Sequence, residues 1–449
     1  MENNILFLKN ANVIDVENGH IVLTNITIVN GCITKVESET NQETKSNSNV
    51  TVLDLKEKWV IPGLIDMHVH IKEGFAPLFT ASGVTTVRNT GGNVDELKDI
   101  IHASIEAPTP RVISADRIID GPPGLWGETS PWNMNADSPQ AAQEEVRRQI
   151  EAGADFIKVY GWLPNATMKA VVEEADKYNK EVSCDLVHSK DVTAIDAAMM
   201  GVKWNEHASG IAQDIYPEWT MQADDKVWES INWEQPDREK IEQVCKVLIE
   251  HNVVICPTMV LLDQAMHLEN YWYPVNDVTK KLEDNAGLVN QWKYFLSQPA
   301  SLESLGRQAT MNKAITKSYF DLGGQVVAGT DTPAGIFTIP GMALHRELEL
   351  FVQAGITEID AIRAATLNAA KALKRPDLGV IKEGAIADIV ILNENPLENI
   401  QHTQEINLVI KGGTIYTQKE LFEQIPDEET IMKNLEAFMD KYEVTIVNK

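Results

Sequence analysis

Two histidines, His68 and His70, flank a single valine at the end of the apolar run Leu64-Ile65-Asp66-Met67. That run reads as a strand. Residues two apart on a strand share a face, so both imidazoles point the same way. Side by side they form a pincer for a borderline divalent ion such as zinc. Two structural histidines are the competing reading of so short a triplet, and its place at a strand end soon after Pro62-Gly63 favours the pincer. Five other histidines, His20, His102, His251, His267 and His402, read as ordinary surface or core residues. The four cysteines, Cys32, Cys184, Cys245 and Cys256, are far apart and show no C-x-x-C spacing. They therefore suggest neither a disulfide framework nor a zinc ribbon, and read as buried free thiols.

A pincer needs a scaffold that brings further ligands to it. After Pro62-Gly63 short apolar strands alternate with helix-period stretches as far as about Leu373. The strands start with the run before His68 and continue at Thr85-Thr86-Val87, Arg111-Val112-Ile113, Phe156-Ile157-Lys158-Val159, 182–187, Lys203-Trp204-Asn205, Val253-Val254-Ile255 and Val326-Val327-Ala328. Eight such units predict an α/β fold with a closed (β/α)₈ TIM barrel over 62–376. Residues 1–61 and 377–417 carry β-rich runs and turn signals, Asn30-Gly31 and Gly412-Gly413 among them. They are expected to pair as one small composite β-sandwich domain, with the polar stretch 37–49 as a loop. A tail, 418–449, has helical spacing that places Ile431, Leu435, Phe438 and Met439 on one side, to pack on the body or on a partner subunit. The segment 209–307 is long for its barrel elements and rich in aromatics. Its excess is expected to form a lid or subunit contact over the catalytic face, with core packing as the alternative for any one aromatic.

The chain has 449 residues and a formal charge of −27, which argues against partners rich in phosphate such as nucleic acid or an anionic membrane. With no signal-like start and no apolar run of membrane-spanning length, a cytoplasmic protein is expected. Its expected partners are a small-molecule substrate and further copies of itself in a homo-oligomer.

The stretch Val60-Ile61-Pro62-Gly63-Leu64-Ile65-Asp66-Met67-His68-Val69-His70, followed by Ser82-Gly83-Val84-Thr85-Thr86-Val87-Arg88, resembles the opening of the amidohydrolase superfamily. Within it the chain is similar to the branch of imidazolonepropionase-related and prolidase-like (Xaa-Pro or Xaa-Arg dipeptidase-type) enzymes. The likeness runs to Gly384-Ala385-Ile386-Ala387-Asp388-Ile389-Val390, a return into the small β domain, and excludes the tail. It implies a ligand set. Lys158, in Gly153-Ala154-Asp155-Phe156-Ile157-Lys158-Val159, matches a lysine carboxylated in two-metal members. A free lysine, with a pKa near about 10.4, would repel a divalent ion; as a carbamate it would bridge a pair. The alternative is a lysine snorkelling from the barrel mouth. His188 and His207 match ligands at the ends of strands five and six, although Ser183-Cys184-Asp185 replaces the usual small residues before His188, so that Asp185 competes with it. Asp331, in Ala328-Gly329-Thr330-Asp331-Thr332-Pro333, matches the strand-eight aspartate that binds metal and moves the proton, against a plain N-cap reading.

Under this resemblance two divalent ions, most simply zinc, are held by His68, His70 and Asp331 and by His188 and His207, with carboxylated Lys158 between them. A metal-bridged hydroxide attacks the carbonyl carbon of an N-acyl amino acid, dipeptide or related amide, the C–N bond then breaks, and Asp331 serves as general base and acid, passing the proton to the departing amine. Tyr160, Trp126 and Trp162 are candidates for substrate contact, and His345 for support of the site or for helix packing. Two alternatives stand beside this: a mononuclear cyclic-amide hydrolase of imidazolonepropionase type, and a non-catalytic scaffold on the same fold.

Overall fold

The computed structural model describes residues 5–37, 50–284 and 286–447. The expected polar loop at 37–49 lies outside them from residue 38 onward. Eight parallel strands fall where the sequence rhythm predicts: Leu64–Val69, Val84–Asn89, Arg111–Ser114, Ile157–Tyr160, Val182–Asp185, Trp204–Glu206, Val254–Cys256 and Gln325–Val326. Neighbours pair in chain order. The third strand reaches the fourth through an Ala115 to Phe156 bridge, and the ring closes where Val69 pairs with Thr332 beyond the eighth strand. Closure demands close approach of the eighth strand to the first. A Cβ at Gly329 would stand 2.8 Å from the His68 backbone nitrogen, so only glycine fits there.

Helix ends set where the site-bearing strands begin. Before the fourth strand, Ser138 caps helix Pro139–Ala152 by accepting from the Ala141 amide, proline opens it, and Gly153 at φ 101° ends it. Before the sixth, Thr193 and Asp196 form a capping box on helix Ala194–Met200, which Gly201 ends at φ 103°.

Both chain ends contribute to one eight-stranded sheet. Ile5–Asp15 lies between His20–Val29 on one side and Val50–Asp54 and Trp59–Pro62 on the other, and Ile389–Leu392 joins Trp59–Pro62 to Ile406–Lys411. The sequence suggests a break between 5–8 and 12–15. The structure instead runs one strand with a bulge between Leu8 and Ala11, where Asn10 takes φ 56°. Cys184, Cys245 and Cys256 are buried free thiols as expected, whereas Cys32, at the start of a strand, is exposed.

Segment 209–307 folds as a succession of short helices around the strand Val254–Cys256. Trp219, Trp228 and Trp233 are buried with ring centres 5.0–5.2 Å apart, which is core packing. Further on, Tyr271 stacks on Phe337 at 4.4 Å and Trp292 meets the same ring at 5.2 Å, so this part is anchored to the chain just beyond the eighth strand. The tail forms helix Glu428–Val447, with Ile431, Leu435, Phe438 and Met439 half-buried on its inner side. Among the described residues no helix is long and apolar enough to cross a membrane.

Candidate metal centre

Backbone hydrogen bonds and one carboxylate tie the first and eighth strands together at their C-terminal ends. Asp66 accepts from the amides of His68 (3.2 Å) and Thr330 (3.1 Å) and from the Thr330 hydroxyl (2.7 Å). Burial pushes its carboxyl up to about 7, against the pull of those same bonds. The clamp sets His68 beside Asp331. Asp331 stands at φ 61° and His207 at φ 63°, left-handed conformations that turn each side chain out of the strict strand alternation.

Three imidazoles are held in the same way. His68 Nδ1 lies 2.7 Å from Glu206 Oε2, and His70 Nδ1 lies 3.1 Å from the Gly91 carbonyl. His207 Nδ1 lies 2.6 Å from Thr258 Oγ1, whose own proton goes to the Pro257 carbonyl at 2.8 Å. Each partner can only accept, so each Nδ1 carries the proton and each Nε2 presents a lone pair. Those Nε2 atoms meet carboxylates: His68 and His70 both lie 3.1 Å from Asp331 Oδ1, and His207 lies 3.2 Å from Asp185 Oδ2. Neither His68 Nε2 nor Asp331 Oδ1 makes an aligned hydrogen bond although both are buried. Facing lone pairs without a proton between them is the geometry of ligands around an ion, and the ligand atoms of His68, His207 and Asp331 all lie within 4.8 Å of one another. The donor set, imidazole nitrogen with carboxylate oxygen, suits zinc.

Around this core runs a fully buried polar layer. Arg88 lies between the rings of Phe156 and Trp204, 4.1 Å from each, and donates to Glu206 Oε1 at 2.8 Å. Ser183 donates to the same oxygen at 2.5 Å. Burial alone would raise the Glu206 carboxyl, but Arg88 and His68 reverse that and hold it well below the usual carboxylate range. Burial works against ionisation of Asp331 too, and holding it low takes positive charge on the imidazole side, from protons on the rings or from an ion between them.

Lys158, on the fourth strand, is completely buried and its Nζ has no hydrogen-bond partner among the described residues. Burial works against ionisation of Asp185, and His207 and, after it, the Lys158 amine hold that carboxyl well below its usual range, which places the amine near the cluster. His188 stands apart: it is half-exposed, with its Nδ1 3.2 Å from Gln222 Nε2. It still lines the cavity of about 910 Å³ into which His70, His207, Asp185 and Asp331 open. Tyr160 and Trp126 line that cavity with their rings 6.3 Å apart. Burial, with Asp185 and Asp331 nearby, pushes the Tyr160 phenol well above its ordinary value, so it remains a donor. Trp162 is half-buried outside the cavity lining, under Lys190 at 5.1 Å. His345 is not brought to the cluster. Its nitrogens lie 2.9 Å from Thr403 Oγ1 and 2.9 Å from the Ser82 carbonyl, at the other end of the barrel.

Sequence reasoning missed Glu206 and Arg88 and gave Asp185 only a competing role. Glu206 precedes His207 directly, and alternation would send the two to opposite faces. The left-handed turn at His207 is what lets both serve one cluster.

A family model described as the amidohydrolase family matches residues 59–416. The ochratoxinase of Aspergillus niger is 27% identical over 336 residues, covering 70% of this chain and 57% of that protein, so the chain spans less than two thirds of the length of that curated relative. A prolidase solved in complex with N-methylphosphonate-L-proline superposes with a TM-score of 0.67 at 21% identity, over 92% of this chain and 99% of that one. The solved A. niger ochratoxinase superposes at 0.64 and 22%, over 92% and 96%.

Proposed function

The chain belongs to the amidohydrolase family, and from that premise we propose that it is a metal-dependent hydrolase of an amide-type C–N bond in an N-acyl amino acid, dipeptide or related amide. The observation that carries this is the set of three imidazoles whose Nδ1 atoms are all anchored and whose Nε2 atoms all face carboxylates without an aligned hydrogen bond at Asp331.

His68, His70 and Asp331 would hold one divalent ion, His188 and His207 a second, and Lys158, carboxylated, would lie between them. Bound there, the ions supply Lewis acidity and bring the pKa of a water down to roughly 7. Asp331, at the rim between the cluster and the cavity, accepts the proton of the attacking water and returns it to the departing nitrogen. Tyr160, protonated at working pH, offers its O–H to the substrate oxygen. Trp126 and Leu125 form an aromatic and aliphatic wall that sheds water from the reacting amide. The match to the amidohydrolase family supports an amide as the substrate. We further assign 62–376 as the barrel, and 1–61 with 377–417 as a composite β-sandwich domain.

A second reading has its own support. His188 is half-exposed and lies outside the compact group of His68, His207 and Asp331, as a mononuclear site would have it. Metal analysis of wild type and Lys158→Ala separates the two. Two ions per chain, falling to one or none in the variant, is expected; one ion, unchanged by the substitution, would establish the mononuclear site. A panel of N-acyl amino acids, dipeptides, cyclic amides and lactones tests the hydrolase itself. Turnover of none of them by the zinc-loaded protein would leave the scaffold reading in its place.

A further inference from the structure

The family match ends at residue 416, yet the segment beyond it reaches the candidate active site. Helix Glu428–Val447 carries Ile431, Leu435, Phe438 and Tyr442 at spacings of four, three and four, a single stripe along one face. All four are half-buried. The first half of the stripe lies over the cavity: Ile431 and Leu435, with Asn434 beside them, are part of the same lining as His70 and Asp331. Contacts along its length hold it there. Asn434 donates to Glu73 Oε2 at 2.9 Å, Phe438 lies 6.1 Å from the Trp132 ring, and Arg117 donates to the Tyr442 hydroxyl at 3.2 Å. The chain also makes room for it. A Cβ on Gly74 would stand 2.7 Å from Cδ1 at the tip of Ile431, so the bare glycine lets that side chain lie close against the chain in its present rotamer.

The charge in this part of the cavity is distinctive. Glu73, Glu96 and Asp99 line it against the single cation Lys72, which is paired with Glu96 at 2.7 Å, and no arginine is among the described residues of the lining. A ligand reaching this wall would meet hydrocarbon and net negative charge.

We propose that the C-terminal helix forms the specificity wall of the substrate cavity, selecting amides that carry an extended apolar group without a negative charge at its far end. The inference rests on the hydrolytic reading only in calling the occupant a substrate. Its chemical content is that Ile431 and Leu435 bind the end of the chain remote from the amide.

Calorimetric titration of the full-length, zinc-loaded protein tests this with four probes: acetamide, hexanamide, decanamide and the monoamide of decanedioic acid, which carries a carboxylate at its far end. Wild type is expected to gain up to about fourfold in affinity for each added methylene, and to bind the decanedioic monoamide at least about tenfold more weakly than decanamide. Ile431→Ser with Leu435→Ser should flatten the chain-length dependence, Leu435→Met should keep it, and Leu435→Trp should exclude decanamide while leaving acetamide unaffected. A chain-length dependence absent from wild type, or identical in all variants, would overturn the proposal. Cleavage of the same amides is followed in parallel. The predicted binding without cleavage would sink the hydrolase reading alone, and cleavage with a flat binding series would sink the wall alone.

Discussion

His68 and His345 are both withdrawn completely from solvent, at opposite ends of the same barrel. His345 has both nitrogens occupied, by Thr403 Oγ1 and by the Ser82 carbonyl, and burial pushes its imidazole down to about 4. His68 has one nitrogen anchored on Glu206 while the other faces Asp331 without an aligned bond. A structural polar group in a core is satisfied, because leaving it bare costs about 1–3 kcal/mol. Several buried groups left open toward one point mark a place where something else is to be bound. Saturation at one end and convergence at the other thus separate two histidines that composition and burial cannot tell apart.

The contrast breaks most sharply at Asp331. Replacing it with Asn should lower kcat/KM on the best amide of the panel by about 10²- to 10⁴-fold with little change in Tm, and a loss below about tenfold would remove it from the proton-carrying role. Glu206→Gln tests the anchoring beneath. It weakens the partner that orients His68, and zinc affinity measured by competition with a chelating dye should fall about 10- to 100-fold. Removing metal with a chelator should lower Tm, and zinc should restore it, because an ion that binds only the folded chain stabilises it by about 3–4 kcal/mol at 100 to 1,000 times its dissociation constant. His345→Gln should show the same zinc-dependent rise; its absence would mean the two ends are coupled.

The smallest effect on activity belongs to His345 itself. His345→Gln is expected to leave kcat/KM unchanged and to cost about 1–3 kcal/mol in denaturant unfolding. Because the folded imidazole titrates near 4, below its ordinary 6.5, the unfolded chain takes up the proton first. The stability held above pH 6.5 is lost as pH falls toward 4, at about 1.4 kcal/mol per pH unit. The variant should flatten that acid limb, and a limb unchanged in steepness would show that His345 does not contribute to it.

The barrel was legible because parallel strands buried on both faces and separated by capped helices leave a strong one-dimensional rhythm, as at Ser138 to Gly153 and Thr193 to Gly201. The cluster was partly legible. His68 and His70 share a face by strand period, but Asp331 and His207 sit on left-handed turns, where the period no longer says which way a side chain points. Asp185 meets the cluster through the turned His207 and Glu206 through His68. His345 reads in sequence as support of the site or as helix packing, and its partners Thr403 and Ser82 show the packing, since a helix of a barrel can address either end and its own periodicity does not say which. The aromatics of 209–307 divided between a buried tryptophan cluster and the packing around Phe337, a choice set by neighbours distant in sequence.

By itself, then, the sequence determined the alternation of strand and helix, the strand ends at which chemistry could sit, and the apolar stripe of the tail, since each is written in local spacing. Tertiary structure alone decided which Nε2 atoms converge, that Lys158 is buried without a hydrogen-bond partner among the described residues, and that Ile431 and Leu435 of the tail's stripe line the cavity. These depend on closure of the ring between Val69 and Thr332 and on contacts across hundreds of residues, for which no local period carries a signal.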